Sequence, residues 1–302
     1  MKNVKSAALG IVLAIISLIS LTPFWLMFSM STYKSELIFQ NNPLLPSNYF
    51  GENLKTIFAS NFVQSYLNSF FISVTVMVLS VLICAMAGYA MNVYDFRFKK
   101  LINAFIMLTM MVPTQIGIIG YMIEMRNLKV NNTLLPMICV WLASGIGAYW
   151  MISFVKSGLP IELVESARID GAGEFRIFGS IALPCIKPGI LTLCLLQFLW
   201  SWNSYMYPLV FVNKQDNYTI PIFVKSLASA YRTDYGAQLA GLTLSTIPVL
   251  ILFCFGSKTF IKGMTAGAVK GYLCYNLVCR YLYLHTCNGG IIIHEDHNLC
   301  CR

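Results

Sequence analysis

Charge is scarce in this chain. Only 11% of its 302 residues are Asp, Glu, Lys or Arg, where soluble domains carry about 25%, and 57% are hydrophobic. A water-soluble fold of this length has too little interior to hide so much apolar surface. The bilayer is therefore the expected solvent for most of the molecule, in keeping with a mean hydropathy of +0.68. Acidic residues and His are absent from the interiors of the long apolar runs, which excludes a proton relay of the secondary-carrier kind. Those runs hold no His/Ser/Asp set and no paired carboxylates, so a membrane-embedded enzyme is not expected. A Walker A loop is missing too. The nearest stretch, Gly256-Ser257-Lys258-Thr259, has Ser257 and Leu252 where the motif needs glycines, so any ATP hydrolysis must come from another polypeptide.

The net charge of +9 does not point to nucleic acid, because the 21 Lys and Arg are scattered between apolar runs and form no basic stripe. Five of the ten Cys sit in or beside apolar runs and behave there as small hydrophobes, and the other five follow residue 271. No disulfide framework is readable.

A membrane-spanning helix needs roughly 20 mainly apolar residues. Six runs meet that length: Ala7 to Ser31, Tyr66 to Asn92, Leu101 to Ile123, Thr133 to Val155, Gly189 to Val212 and Gln238 to Ile261. The first exceeds the apolar core of about 7–15 residues of a signal peptide and is read as a retained helix. Backbone in lipid must satisfy its own hydrogen bonds, so the runs predict helices. Six spans put both termini on one side. That side carries fourteen Lys and Arg against seven on the other, which predicts that both termini are cytoplasmic. Pro113 and Pro248 are expected to kink spans three and six.

The connector between spans four and five reads Glu165-Ser166-Ala167-Arg168-Ile169-Asp170-Gly171, then nine residues, then Ile181-Ala182-Leu183-Pro184. It predicts two short helices around a bend. Pro160 suits a first turn, with Glu162 and Glu165 at its positive end. Asp170-Gly171 supplies the turn, and Gly173 serves as an N-cap followed by Glu174. Ser166, Ala167, Gly171 and Ala172 are small enough for another protein to approach closely, with Leu163, Val164, Ile169, Phe175 and Phe178 as apolar anchors beside them.

At these residues the chain resembles the EAA motif of ABC importer permeases: Glu-Ala-Ala, three residues, Gly, nine residues, Ile-x-Leu-Pro. The spacing fits throughout, with Ser166 replacing the first Ala. The resemblance covers about residues 7–271 and looks most like the maltose-type sugar permeases. Supporting stretches are Tyr66-Leu67-Asn68-Ser69, Ala87-Gly88-Tyr89-Ala90, Met111-Val112-Pro113, Trp202-Asn203 with Pro208, Thr219-Ile220-Pro221 and Gly267-Ala268-Val269-Lys270-Gly271. Ser257 departs from the family, which usually places Gln before the basic residue.

The resemblance implies an all-α membrane protein with six transmembrane helices, the type I ABC importer permease fold, in a bacterial inner membrane. It implies a second permease subunit in a heterodimer, two cytoplasmic ATP-binding subunits and an extracytoplasmic solute-binding protein. Glu165, Ser166, Ala167, Asp170, Gly171, Ile181, Leu183 and Pro184 become the ATPase-coupling residues. Glu165 acts by polar contact, Ala167 by close packing and Gly171 by the bend. A sugar is the expected cargo, glycerol-phosphate or another small polar solute the alternative, and a self-sufficient channel or carrier the reading from another class.

A sugar path needs polar and aromatic side chains, and Asn68, Gln115, Gln197, Trp200, Trp202 and Asn203 are the candidates. Organisation then follows as helix one over 1–31, an extracytoplasmic loop over 32–65, a permease core over 66–271 containing the coupling loop 156–188, and a tail over 272–302. That tail holds all three His and five Cys. His294 and His297 resemble no standard zinc spacing, so it reads as a non-homologous extension, and no metal or cofactor is expected.

Overall fold

The computed structural model describes residues 2–228 and 234–266. The tail 272–302, the Gly267–Gly271 stretch and Arg232 lie outside the described residues. Every regular element among the described residues is a helix. In order they are α1 (Lys2–Met30), α2 (Phe50–Phe58), α3 (Phe62–Val93), α4 (Lys99–Met111), α5 (Ile118–Asn127), α6 (Leu135–Leu142), α7 (Gly145–Gly158), α8 (Ile161–Ile169), α9 (Glu174–Ile177), α10 (Leu183–Cys185), α11 (Lys187–Trp202), α12 (Met206–Phe211), α13 (Ile220–Ser226) and α14 (Tyr235–Ala266). Short 3-10 turns and one π turn, Phe178–Ala182, fill some of the joints.

Four stretches are long and apolar enough to cross a bilayer: Leu9–Met30, Phe62–Val93, Leu135–Gly158, which is made of α6 and α7, and Tyr235–Ser257. Two bent pairs raise the number to six if each counts as one pass.

The first pair is α4 with Thr114–Asn127, which meet at 91°. The kink expected at Pro113 is thus a right-angle turn. Proline disfavours the α region for the residue before it, and Val112 is accordingly extended at φ −87°, ψ 121°. Pro248, by contrast, sits inside an unbroken α14.

The expected span Gly189 to Val212 also differs. Its helix stops at Trp202 and restarts at Met206. Asn203 and Ser204 compete with helical backbone through their side chains, and Pro208 brings no N–H to the carbonyl four residues earlier.

The described residues divide into two compact units. Unit one comprises 2–72, 122–137, 202–228 and 234–252 of the described residues, and its buried cluster is Ile57, Phe62, Ile220, Phe223, Val224, Ala237 and Ala240. Unit two comprises 73–121, 138–201 and 253–266 of the described residues, with a core that includes Cys84, Tyr89, Met151, Phe154, Val164, Ile177, Ile186 and Leu193.

In lipid the hydrophobic effect does not drive helices together, so close packing and hydrogen bonds must. Unit two shows both. A Cβ on Gly88 would sit 2.8 Å from the Met151 carbonyl, so only Gly lets α3 and α7 approach this closely. The Asn92 amide donates to the Gly88 carbonyl at 2.8 Å and to the Ile152 carbonyl at 2.9 Å, joining the two backbones. Trp150 donates its indole N–H to the Gly189 carbonyl at 3.3 Å.

Candidate functional site

The elbow between α7 and α11 is built from local chemistry. Helix α8 starts after Pro160 and carries Glu162 in its first turn, where an acidic side chain favours the positive helix end. It ends in a Schellman turn: the Gly171 N–H donates to the Arg168 carbonyl at 3.0 Å and the Ala172 N–H to the Ala167 carbonyl at 2.9 Å. Gly171 is left-handed at φ +78°, and no heavy atom lies within 4 Å of where its Cβ would be. Glycine is required there by backbone conformation, not by space. Gly173 then caps α9, and the chain passes through the π turn into α10 and α11, with an 81° bend between Glu174–Cys185 and α11.

The structure sorts the elbow into two faces. Val164, Ala167, Ile177 and Ala182 are buried in the core of unit two, and Leu163, Ala172, Phe178, Ile181 and Leu183 pack against it. Of the five apolar anchors expected to meet a partner, Leu163, Val164 and Phe178 therefore hold the elbow to its own chain. Amphipathic spacing alone does not say which apolar side faces home. Ile169, 87% exposed, and Phe175, 94% exposed, are the two left outward. Glu165, Ser166, Asp170 and Gly171 share the exposed side, and Pro184 is half-buried. The Ser166 hydroxyl donates to the Leu163 carbonyl at 3.1 Å, so it fits the helix it sits on.

Sequence reasoning missed one cluster. In sequence Glu174 is legible only as a first-turn acid, yet its carboxylate gathers three donors. Arg168 Nε reaches Oε1 at 2.7 Å, and Tyr94 and Tyr89 hydroxyls reach Oε2 at 2.6 and 3.2 Å. The hydrogen bonds from Arg168 and then Tyr94 hold the Glu174 carboxyl down at about 2, so it is ionised throughout the physiological range. The signal available beforehand was the six-residue Arg168–Glu174 spacing across a turn, but nothing in one dimension links it to Tyr89 and Tyr94.

The path candidates do not share one environment. Asn68, Trp202 and Asn203 belong to unit one, and Gln115, Gln197 and Trp200 to unit two. Asn68 is spent: its amide donates to the Asp216 and Tyr218 carbonyls at 2.7 and 3.0 Å and its oxygen accepts from Gln64 at 3.0 Å. Trp202 is buried, donates to the Ser245 carbonyl at 3.1 Å and packs edge-on to Tyr66. Both act as braces within unit one. Gln115 is exposed in the 3-10 turn after Pro113, Trp200 is half-buried, and Asn203 is exposed in the break between α11 and α12. Gln197 is fully buried, and neither amide atom has a hydrogen-bond partner among the described residues. Its amide nitrogen lies 3.1 Å from where a Gly147 Cβ would stand.

Asn68→Ala would strip two carbonyls of their donor, a loss of about 1–3 kcal/mol for buried groups. The expected outcome is an apparent unfolding temperature lowered by several degrees with the transport KM unchanged. A raised KM at unchanged stability would return Asn68 to the path.

Among the described residues the chain is an all-helical protein with membrane-length spans and a bent elbow between two of its helices, the class of multi-pass helical membrane proteins. The chain belongs to the binding-protein-dependent transport system inner membrane components, whose family profile matches residues 80–264. It is 36% identical over 204 residues to the arabinooligosaccharides transport system permease protein AraQ of Halalkalibacterium halodurans, covering 68% of this chain and 73% of that one. It is 29% identical over 261 residues to the lactose transport system permease protein LacG of Rhizobium radiobacter, covering 86% and 94%. Among solved structures it matches a chain of a bacterial ABC transporter involved in the import of the acidic polysaccharide alginate, with a TM-score of 0.74, 22% identity and 85% and 97% of the two chains covered.

Proposed function

We propose that this permease subunit carries a sugar or oligosaccharide across a bacterial cytoplasmic membrane, driven by ATP hydrolysed on a separate polypeptide. The relatives named for arabinooligosaccharide and lactose transport support that cargo class. A second, different permease subunit completes the translocation path, two cytoplasmic ATP-binding subunits grip the elbows, and an extracytoplasmic binding protein delivers cargo. Both termini and the loop 156–188 face the cytoplasm, residues 32–65 form an extracytoplasmic loop, and the permease core runs over 66–271, with 272–302 outside it. The chain hydrolyses nothing itself.

Glu165, Ser166, Asp170 and Gly171, with Ile169 and Phe175, form the face offered to the ATPase. Ala167, Ile181, Leu183 and Pro184 support it from behind. Gln197 and Asn203 are the path residues we favour. A buried amide in a membrane helix with bonding capacity unspent faces protein or water, not lipid, and an interrupted helix such as that at Asn203 exposes polar backbone where a solute can use it.

One observation carries this reading: a Schellman-capped elbow presents Ile169 and Phe175 almost fully exposed beside Glu165, Ser166 and Asp170, within a chain of this transport family. A Phe175→Cys variant is expected to cross-link to the cognate ATPase in inverted vesicles and to resist impermeant thiol reagents applied to whole cells. Labelling from outside would overturn the orientation. Uptake persisting in a strain without every cognate ATPase would favour a self-sufficient carrier.

A further inference from the structure

We propose that Arg168, Glu174, Tyr89 and Tyr94 form a strut through which the elbow moves the end of α3, acting as positioning residues for transport. The inference rests on the coupling reading of the elbow.

Three features of the geometry carry it. Each outward apolar side chain is the next residue after a strut residue: Ile169 follows Arg168, and Phe175 follows Glu174. A displacement of either by a partner is therefore handed at once to a side chain that reaches α3. The strut is also braced in several directions. Glu174 binds both Arg168 and the two tyrosines. The Arg168 guanidinium lies over the Tyr94 ring at 5.6 Å. Tyr89 packs edge-on to Tyr94 at 6.0 Å and to Phe178 of the π turn at 5.3 Å between ring centroids. Thus α8, α9 and the π turn all touch the last turn of α3 or Tyr94, the residue just after it. Finally, that end is not free to absorb the motion, because Gly88 and Asn92 lock it to α7. Packed elements with few adjustable contacts move as bodies.

A purely stabilising role is a poor account of the cluster. Arg168 and Glu174 keep 36% and 44% of their side-chain surface exposed, and exposed ion pairs contribute little to stability. The charge is nonetheless permanent, since the Glu174 carboxyl stays far below its ordinary range.

The test is hydrogen exchange on the complete importer in nanodiscs, with and without ATP and vanadate, comparing the unchanged chain with Glu174→Gln and with Tyr89→Phe/Tyr94→Phe. In the unchanged chain, trapping the nucleotide is expected to alter exchange both in the elbow, residues 161–177, and over residues 89–98, the last turn of α3 and the connection after it. In the variants the elbow response persists while the response at 89–98 shrinks at least about threefold. A full response at 89–98 in both variants would overturn the strut, as would a nucleotide-independent rise in exchange there with the difference preserved, which is what mere loosening produces. Loss of the elbow response in the variants would make the cluster part of the docking surface instead. No elbow response in the unchanged chain would bring down the coupling reading itself.

Discussion

Gly171→Pro abolishes uptake while the subunit remains in the membrane at its normal level, whereas Gly171→Ala retains most of it. Position 171 stands at φ +78°, and proline locks φ near −65°. The Gly171 N–H bonded to the Arg168 carbonyl at 3.0 Å would be lost. Asp170, at φ −72° and ψ 2°, would have to leave the backbone region it occupies, which a following proline disfavours. Together these exceed the ~3 kcal/mol of an ordinary misplaced proline and unmake the turn between α8 and α9. Because the buried face of each helix is held by its own core contacts, the damage is confined to their relative direction.

Alanine would instead cost only about 1–2 kcal/mol for the left-handed backbone, and nothing stands within 4 Å to obstruct its Cβ. Measuring uptake and membrane abundance for both variants separates two reasons for a glycine here. If alanine abolishes uptake as completely as proline, the partner must approach the Cα itself and the bend is not what matters.

Gly88→Val is expected to remove folded subunit from the membrane. The Cβ of any residue here would come 2.8 Å from the Met151 carbonyl carbon and oxygen and 3.0 Å from its Cβ. Backbone cannot rotate away as a side-chain tip can, so α3 and α7 must separate. Overpacking of this kind costs typically about 1–3 kcal/mol for the first methyl groups, and valine adds two more carbons. Separation also strains the Asn92 bridge to the Ile152 carbonyl, one of the hydrogen bonds that hold helices together where apolar surface alone does not. Gly10→Val is the control, since Gly10 is exposed on α1 with nothing within 4 Å of its Cβ position. Abundance and thermal stability in detergent should fall sharply for the first and hardly at all for the second. Equal behaviour of the two would show that the close approach is dispensable.

Several features were legible in one dimension because their causes are local. The apolar runs give membrane-length helical stretches because a bilayer admits little else: the first, second and sixth runs are single helices with ends shifted by a few residues, and the fourth is α6 followed by α7. The turn at Asp170-Gly171 and the cap at Gly173 were readable because Gly, Asp and their neighbours decide backbone conformation within a few residues. Pro113 was readable as a disruption but not as a 91° bend, since the size of a bend depends on what packs around it. The stop of α11 at Trp202 escaped because Phe, Trp and Tyr around Asn203 kept the run apolar enough to look continuous.

The sequence by itself determined that the chain lives in a membrane, that most of its length is helical, and that a small-residue elbow with a glycine-dependent turn joins two of its passes. Hydrophobicity, helix signals and backbone chirality act residue by residue, so no partner is needed to read them. Only the tertiary structure decided which side of the elbow faces home, leaving Ile169 and Phe175 outward. It alone spent Asn68 and Trp202 on bracing, left Gln197 unpartnered, and brought Glu174 to Tyr89 and Tyr94 across about 80 residues of chain. Those outcomes depend on which surfaces meet when helices pack, and a pattern written along one helix carries no record of the helix it will meet.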